Sequence, residues 1–180
     1  MSESTYHTSV LLQECLTGLA IKPDGIYVDV TFGGGGHSKA ILAELGPEGR
    51  LYAFDQDPDA WKQADLIDDE RLTLITANFR YLEKYLRLQG VKQVDGILAD
   101  LGVSSFQLDA AERGFSTRFD GPLDMRMGPS ASTSAAEVLN TYSAGDLQKL
   151  FGMYGEIKNA KTLALAVVQA RTQKPLETTG

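Results

Sequence analysis

The chain has 180 residues, of which 43% are hydrophobic, with a formal net charge of -7 and a single cysteine. That length can bury one sizeable core, so one domain with a small annex is expected. One cysteine excludes an internal disulfide, and the acidity speaks against a polyanionic partner. The acidity is uneven, however: residues 1–140 hold 12 Lys and Arg against 21 Asp and Glu, whereas residues 141–180 hold 5 against 3. No apolar run approaches the roughly 20 residues that span a bilayer, and "MSESTYHTSV" lacks the basic then apolar layout of a signal peptide. A cytoplasmic location is expected.

Residues 10–19 have helical spacing, with an end near Gly18 and the turn signal Pro23-Asp24-Gly25 beyond. Cys15 lies among Leu11, Leu12, Leu16 and Leu19, which makes it a core residue rather than a nucleophile. "IYVDVTF" is a continuous β-branched run of the kind buried on both faces of a sheet. Four glycines, Gly33 to Gly36, separate it from a helix with Ile41, Leu42 and Leu45 on its inner face, which stops at Gly46-Pro47. "RLYAFD" reads as a second strand, and Asp57-Pro58 supplies the N-cap and first-turn proline of the next helix. "LTLIT", "FRYLEKYLRL" and "VDGILAD" add a strand, a helix and a strand.

This β-α-β-α-β-α-β alternation requires right-handed crossovers and a parallel sheet covered by helices on both faces. Ligands of such sheets bind beyond the carboxyl ends of the strands, where the strand order reverses. The glycines, Asp55, Asn78-Phe79 and Asp100 all fall at strand ends. Four glycines admit positive φ and let backbone N–H groups approach a polar or negative ligand at a helix N-terminus. Plain helix–sheet packing uses such turns as well. Asp55, about 20 residues past the turn, is placed to accept hydrogen bonds from both hydroxyls of a ribose. Nicotinamide dinucleotides and S-adenosylmethionine both carry one. The dinucleotide spacing G-x-G-x-x-G fails at Ser38, whereas a methyl donor has no pyrophosphate to cradle and tolerates a less regular turn.

"HTSVLL" (7–12), "DVTFGGGGHS" (29–38), "DQDPDA" (55–60), "DGILADLGVSSFQLDAAERGFS" (95–116) and "DGPLDMRM" (120–127) closely resemble the bacterial MraW/RsmH family. Its members use S-adenosylmethionine to methylate the exocyclic N4 of a cytidine in the decoding region of 16S ribosomal RNA. The resemblance runs over essentially the whole chain and is densest from 1 to 127. It implies an α/β fold with a Rossmann-like class I methyltransferase sheet, normally of seven strands, interrupted by an all-helical insertion. By position it implies that Gly35, Gly36 and His37 contact the methionine end of the cofactor and that Asp55 holds the ribose. Phe79 would lie against the adenine, with Asp100 and Gln107 near the reacting groups. Each position has a plainer rival: His37 capping or packing at the helix start, Phe79 continuing the core stripe of Leu82 and Leu86, Asp100 capping the next segment. Gln107 rests on the resemblance.

Methyl transfer from a sulfonium is mainly a matter of alignment. A cytosine N4 lone pair is delocalised into the ring, so acceptors beside the amino hydrogens assist. Asp100, with Ser104 or Ser105, is the candidate. The base must be single-stranded or flipped out to reach such a site. The stretch 112–129 interleaves Arg113, Arg118 and Arg126 with Phe115, Phe119, Met125 and Met127, which suits unpaired RNA as well as a loop packed on the sheet.

Beyond 130, "SAAEVL" starts with a Ser-x-x-Glu capping box, "SAGDLQKLF" reads as a helix, and 156–171 as a longer one with Ile157, Ala160, Ala164, Val167 and Val168 on one face. The expected division is 1–129, the N-terminal part of the methyltransferase domain, and 130–180, part of the helical insertion. No strands return after the insertion, so the chain reads as an N-terminal portion whose fourth strand offers an open edge for association. Two other readings stand beside this one. A cofactor- or ribosome-binding module would lack turnover, and a nicotinamide-dependent oxidoreductase is opposed by Ser38, which breaks the dinucleotide spacing. Two histidines and one cysteine without close pairing give no zinc site.

Overall fold

A computed structural model describes residues 9–180. The stretch read against a signal peptide lies outside the described residues from 1 to 8, as do the first two residues of "HTSVLL". The chain divides into two compact units, one ending at Gly102 and one spanning Val103–Gly180.

In the first unit the order is α1 (Leu12–Leu19), β1 (Ile26–Asp29), α2 (Gly36–Glu44), β2 (Arg50–Phe54), α3 (Pro58–Ala64), β3 (Leu72–Ile75), a 3-10 turn (Phe79–Tyr81), α4 (Leu82–Leu88) and β4 (Gly96–Leu98). Among the described residues the sheet has four strands in the order β3-β2-β1-β4, and every pair is parallel. This is the first half of the doubly wound arrangement. The chain winds outward from β1 to β3 and then crosses back to place β4 on the other side of β1. The strand order therefore reverses between β1 and β4.

Alternation along the strands sorts side chains onto two faces. Val28, Val30, Tyr52, Phe54 and Ile75 form one buried cluster with Leu86 and Val91, while Tyr27 and Leu51 pack with Ile41 and Leu42 of α2 and with Leu45 at its C-cap. Ala53 joins Phe32, Ala60 and Ala64 under α3. Ile41 is fully buried, and truncating such a side chain to alanine costs about 2–5 kcal/mol. Asp57 caps α3 by accepting from the Asp59 N–H at 3.1 Å, with Pro58 in the first turn.

Some boundaries differ from those expected. Gly18 lies inside α1, which closes only at Ala20 in the left-handed region. Cys15 is half-buried rather than a core residue, and α1 buries none of its side chains completely. The segment after β3 opens as a 3-10 turn because the Asn78 side chain accepts from the Arg80 N–H at 2.9 Å and tightens it. Phe79 is consequently 43% exposed and leaves the stripe that Leu82 and Leu86 continue.

The second unit contains α5 (Ser105–Asp109), a 3-10 turn (Ala111–Arg113), α6 (Ala135–Thr141), α7 (Ala144–Met153) and α8 (Ala160–Arg171). Ser134 and Ser143 cap α6 and α7, each accepting from the N–H three residues on. Fully buried Leu147 of α7 packs where Ala160 and Ala164 of α8 are buried. The last helix begins at Ala160 rather than 156. Residues before it close α7 instead: Glu156 is left-handed, and the Ile157 N–H donates to the Phe151 carbonyl. The terminal residues pair antiparallel with 121–123, where Leu123 donates to Glu177 and Thr179 to Gly121, both at 2.9 Å. Asn140 holds the same segment through two bonds with the Leu176 backbone.

Candidate functional site

The carboxyl ends of β1, β2, β3 and β4 carry the candidate residues of the first unit. After β1 the chain turns sharply: Gly33 and Gly35 adopt φ of 52° and 76°, a left-handed conformation that glycine takes without penalty. Gly34 and Gly36 do not, but at Gly36 a Cβ would meet Ser9 Oγ, so only Gly34 has both an ordinary φ and open space around it. At Gly35 a Cβ would stand 2.8 Å from Cζ of Phe32, so the position is closed sterically as well.

Asp55, directly after β2, is tied to this turn. Its Oδ2 accepts from the Gly33 N–H at 2.8 Å, and its Oδ1 from the Asp57 N–H at 2.9 Å. Each oxygen keeps a second lone pair, and the carboxylate is half-buried with a fixed orientation. Burial pushes its carboxyl above the ordinary range, against the pull of the Asp57 and Gly33 N–H groups. The Trp61 indole N–H donates to the Asp55 carbonyl at 3.0 Å and holds the start of α3 to the same corner. Next to it, Gln56 accepts from the Asn78 amide at 2.9 Å, linking the ends of β2 and β3 beside the exposed ring of Phe79.

His37 is buried, and its Nε2 lies 3.0 Å from the Val10 carbonyl, a contact that requires the proton on Nε2. The ring thus anchors the N-terminal segment, and the packing role holds for the side chain. Gly36 and His37 open the first turn of α2. Asp100 is exposed beyond β4, with its backbone N–H donating to Thr31 Oγ1 at 2.8 Å.

One buried group was not singled out from sequence. Asp29 is fully buried at the end of β1, where its Oδ2 accepts from Ser38 Oγ at 2.7 Å and its Oδ1 from the Thr31 N–H at 3.0 Å. Burial raises its carboxyl, and the Ser38 and Thr31 donors pull it back. The available signal was a carboxylate inside "YVDVTF", a run otherwise apolar enough to be buried on both faces. The residue that broke the dinucleotide spacing, Ser38, is its partner.

In the second unit, Ser104, Ser105 and Gln107 share one turn. Ser104 caps α5 by accepting from the Gln107 N–H at 3.2 Å, and the buried Gln107 side chain accepts from the Ser104 N–H at 3.0 Å. This reciprocal capping box gives Ser104 and Gln107 structural work that sequence reading had missed. The three arginines are also engaged. Arg113 lies over Phe115 with 5.9 Å to the ring centre and donates to the Arg126 carbonyl. Arg118 pairs with Asp109 at 2.9 Å, and Arg126 grips both oxygens of Asp124, whose carboxyl it holds below the ordinary range. Two cavities among the described residues include neither the glycine turn nor Asp55, Phe79 or Asp100 in their linings. One, of about 350 Å³, is lined by Pro122, Asp124, Arg126 and Glu137, and the other, of about 450 Å³, lies between α4 and the half-exposed Ile97 of β4.

An open parallel sheet with a glycine turn after β1 and a turn-bound carboxylate after β2 is an arrangement in which ligands bind beyond the carboxyl ends of the strands, where the strand order reverses. A sequence model for the MraW methylase family matches residues 4–180. The chain belongs to that family. Curated relatives called ribosomal RNA small subunit methyltransferase H include those of Flavobacterium johnsoniae, 59% identical over 97% of this chain, and Cytophaga hutchinsonii, 58% identical over 97%. That of Bacteroides fragilis is 53% identical over 99%. The chain spans 57%, 58% and 58% of their respective lengths. Likeness to solved structures is slighter: a protein-L-isoaspartate O-methyltransferase aligns at a TM-score of 0.43 and 12% identity, over 62% of this chain and 35% of its own.

Proposed function

We propose that this chain carries the cofactor-binding part of an S-adenosylmethionine-dependent methyltransferase that modifies the exocyclic N4 of a cytidine in the decoding region of 16S ribosomal RNA. The observation that carries the reading is the Asp55 carboxylate, held by the Gly33 N–H at 2.8 Å in a chain whose family match runs from 4 to 180. A carboxylate so oriented suits a ribose diol. The exposed Phe79 ring offers an adenine a face, and the exposed Asp100 offers the methionine ammonium a counter-charge. Gly36 and His37 meet the carboxylate of the same ligand through backbone N–H groups of the first turn of α2, and Gly35, whose own N–H closes the turn on the Phe32 carbonyl, lets the ligand approach at the N-cap.

The bound sulfonium supplies an electrophilic methyl group. The residues of this chain hold it in line and receive the surplus proton of the attacking amine, a task given to Asp100 with Ser104 or Ser105 as neighbouring acceptors. Gln107, in the capped turn of α5, is assigned to cofactor binding by the family resemblance. Arg113, Arg118 and Arg126, with the exposed Phe119 and Met125, form the surface offered to an unpaired stretch of small-subunit ribosomal RNA. In this reading residues 1–129 belong to the methyltransferase domain and 130–180 to its helical insertion, the protein works in the cytoplasm, and the edge of β4 is the place for association.

A second reading, a cofactor- or ribosome-binding module without turnover, draws on the pairing of all three arginines with groups of the chain itself. Transfer of labelled methyl from S-adenosylmethionine to 16S RNA or small subunits, with base analysis of the product, separates the two. Label in N4-methylcytidine that is lost in Asp100→Ala supports the enzyme. Tight cofactor binding without label supports the module.

A further inference from the structure

Between β1 and β4 the ladder runs regularly until the site begins. Asp29 pairs with Leu98, and the Val30 N–H donates to the Leu98 carbonyl at 3.0 Å. In a parallel ladder the next bond would run from the Asp100 N–H to the Val30 carbonyl. It runs instead to a side chain, Thr31 Oγ1, at 2.8 Å. A hydroxyl has taken the place of a rung, and the two strands are joined through it where the strand order reverses.

The direction of each bond is fixed by its chemistry. A backbone N–H can only donate, so Thr31 Oγ1 accepts from Asp100 and must send its own proton elsewhere. Asp29 Oδ1, 3.4 Å away, is already an acceptor for the Thr31 N–H. The other oxygen of Asp29 is held by Ser38 of α2 at 2.7 Å. One buried carboxylate therefore ties together α2, the second residue past β1 and, through a hydroxyl, the second residue past β4. We propose that Thr31 is a positioning residue of the methyl-transfer site, its hydroxyl steered by Asp29 and holding the backbone of Asp100 in place. This rests on the reading of Asp100 as a cofactor-site residue.

The test uses the whole chain with Thr31→Val, which keeps the branched shape and removes the hydroxyl, and Thr31→Ser, which restores it. Two quantities are read: hydrogen exchange at the Asp100 amide, and affinity for S-adenosylhomocysteine by calorimetry. The expected result is loss of protection at that amide in Thr31→Val, with affinity lower by about five- to tenfold, as for one hydrogen bond, and recovery of both in Thr31→Ser. Unchanged exchange overturns the proposal, as does lost protection with unchanged affinity. Asp100→Ala separates the failures. If it weakens binding while Thr31→Val does not, the positioning role alone is wrong. If it binds as the parent does, the reading of Asp100 falls and the role of Thr31 with it.

Discussion

The carboxylate of Asp55 accepts from the backbone N–H of Gly33 at 2.8 Å, across 22 positions of sequence, so the glycine turn and the end of β2 form one piece. The same carboxylate takes the Asp57 N–H at 2.9 Å. Asp55→Ala strands both donors, so unfolding in urea should show a loss of about 2 kcal/mol, and Asp55→Asn a smaller one, since one oxygen remains. An alanine variant of parental stability would mean the turn stands without Asp55.

Gly35 sits at φ 76° with the Phe32 ring against the site of a side chain. Gly35→Ala combines left-handed strain with that contact and should lose about 2–3 kcal/mol, whereas Gly34→Ala, with open space around it, should cost under about 1 kcal/mol. The comparison is made by denaturant midpoint, and equal losses would contradict the assignment of strain to Gly35 and not to Gly34.

Stability should depend on pH through Asp29. Its folded carboxyl lies above the ordinary value of 3.8 because of burial. A group raised on folding contributes fully below its unfolded value and loses that contribution as pH rises through the folded one. Asp29→Asn does not titrate, so the stability of the parent relative to this variant should fall as pH rises from about 3.8 towards neutrality. A gap that stays constant over a denaturation series in pH would contradict the burial argument.

Ser104 has two assigned tasks, and substitutions separate them. Ser104→Ala should destabilise by about 1 kcal/mol through the lost cap, and Ser104→Asp should keep most of it. If methyl transfer falls in both, Ser104 acts on substrate. If it falls only in the alanine variant, the cap of α5 is its whole contribution.

For the arginines, the triple variant Arg113→Ala, Arg118→Ala, Arg126→Ala should weaken RNA binding and reduce the salt slope by roughly 2, at about 0.7 per single-strand phosphate contact. Filter binding over a salt series measures both. Unchanged affinity and slope would leave these side chains to their partners Phe115, Asp109 and Asp124.

Much of this was legible in the sequence because it is local or periodic. The order of strands and helices in the first unit, the cap at Asp57, and the inner face of Ile41, Leu42 and Leu45 follow from turn chemistry and spacing. What was not legible depends on pairs far apart in the chain. The Thr31 hydroxyl becomes important only because β4 returns beside β1, and Asn78 reaches Gln56 only because β3 lies beside β2. His37 stands beside four glycines, and its Nε2 contact with the Val10 carbonyl, 27 positions away, could not be read from that motif. The Ser-x-x-Gln box at 104–107 was legible but overshadowed by the resemblance, which supplied another role for Gln107. The half-buried Cys15 misled because apolar spacing shows which face is inner and not how deeply α1 sinks.

Calorimetric titration of the chain with S-adenosylmethionine, beside NAD and beside Asp55→Ala, tests the central claim most directly. Saturable binding of the methyl donor, absent for NAD and lost in the variant, is the predicted result. A folded chain that binds neither ligand, or binds S-adenosylmethionine equally with and without the Asp55 carboxylate, would contradict it.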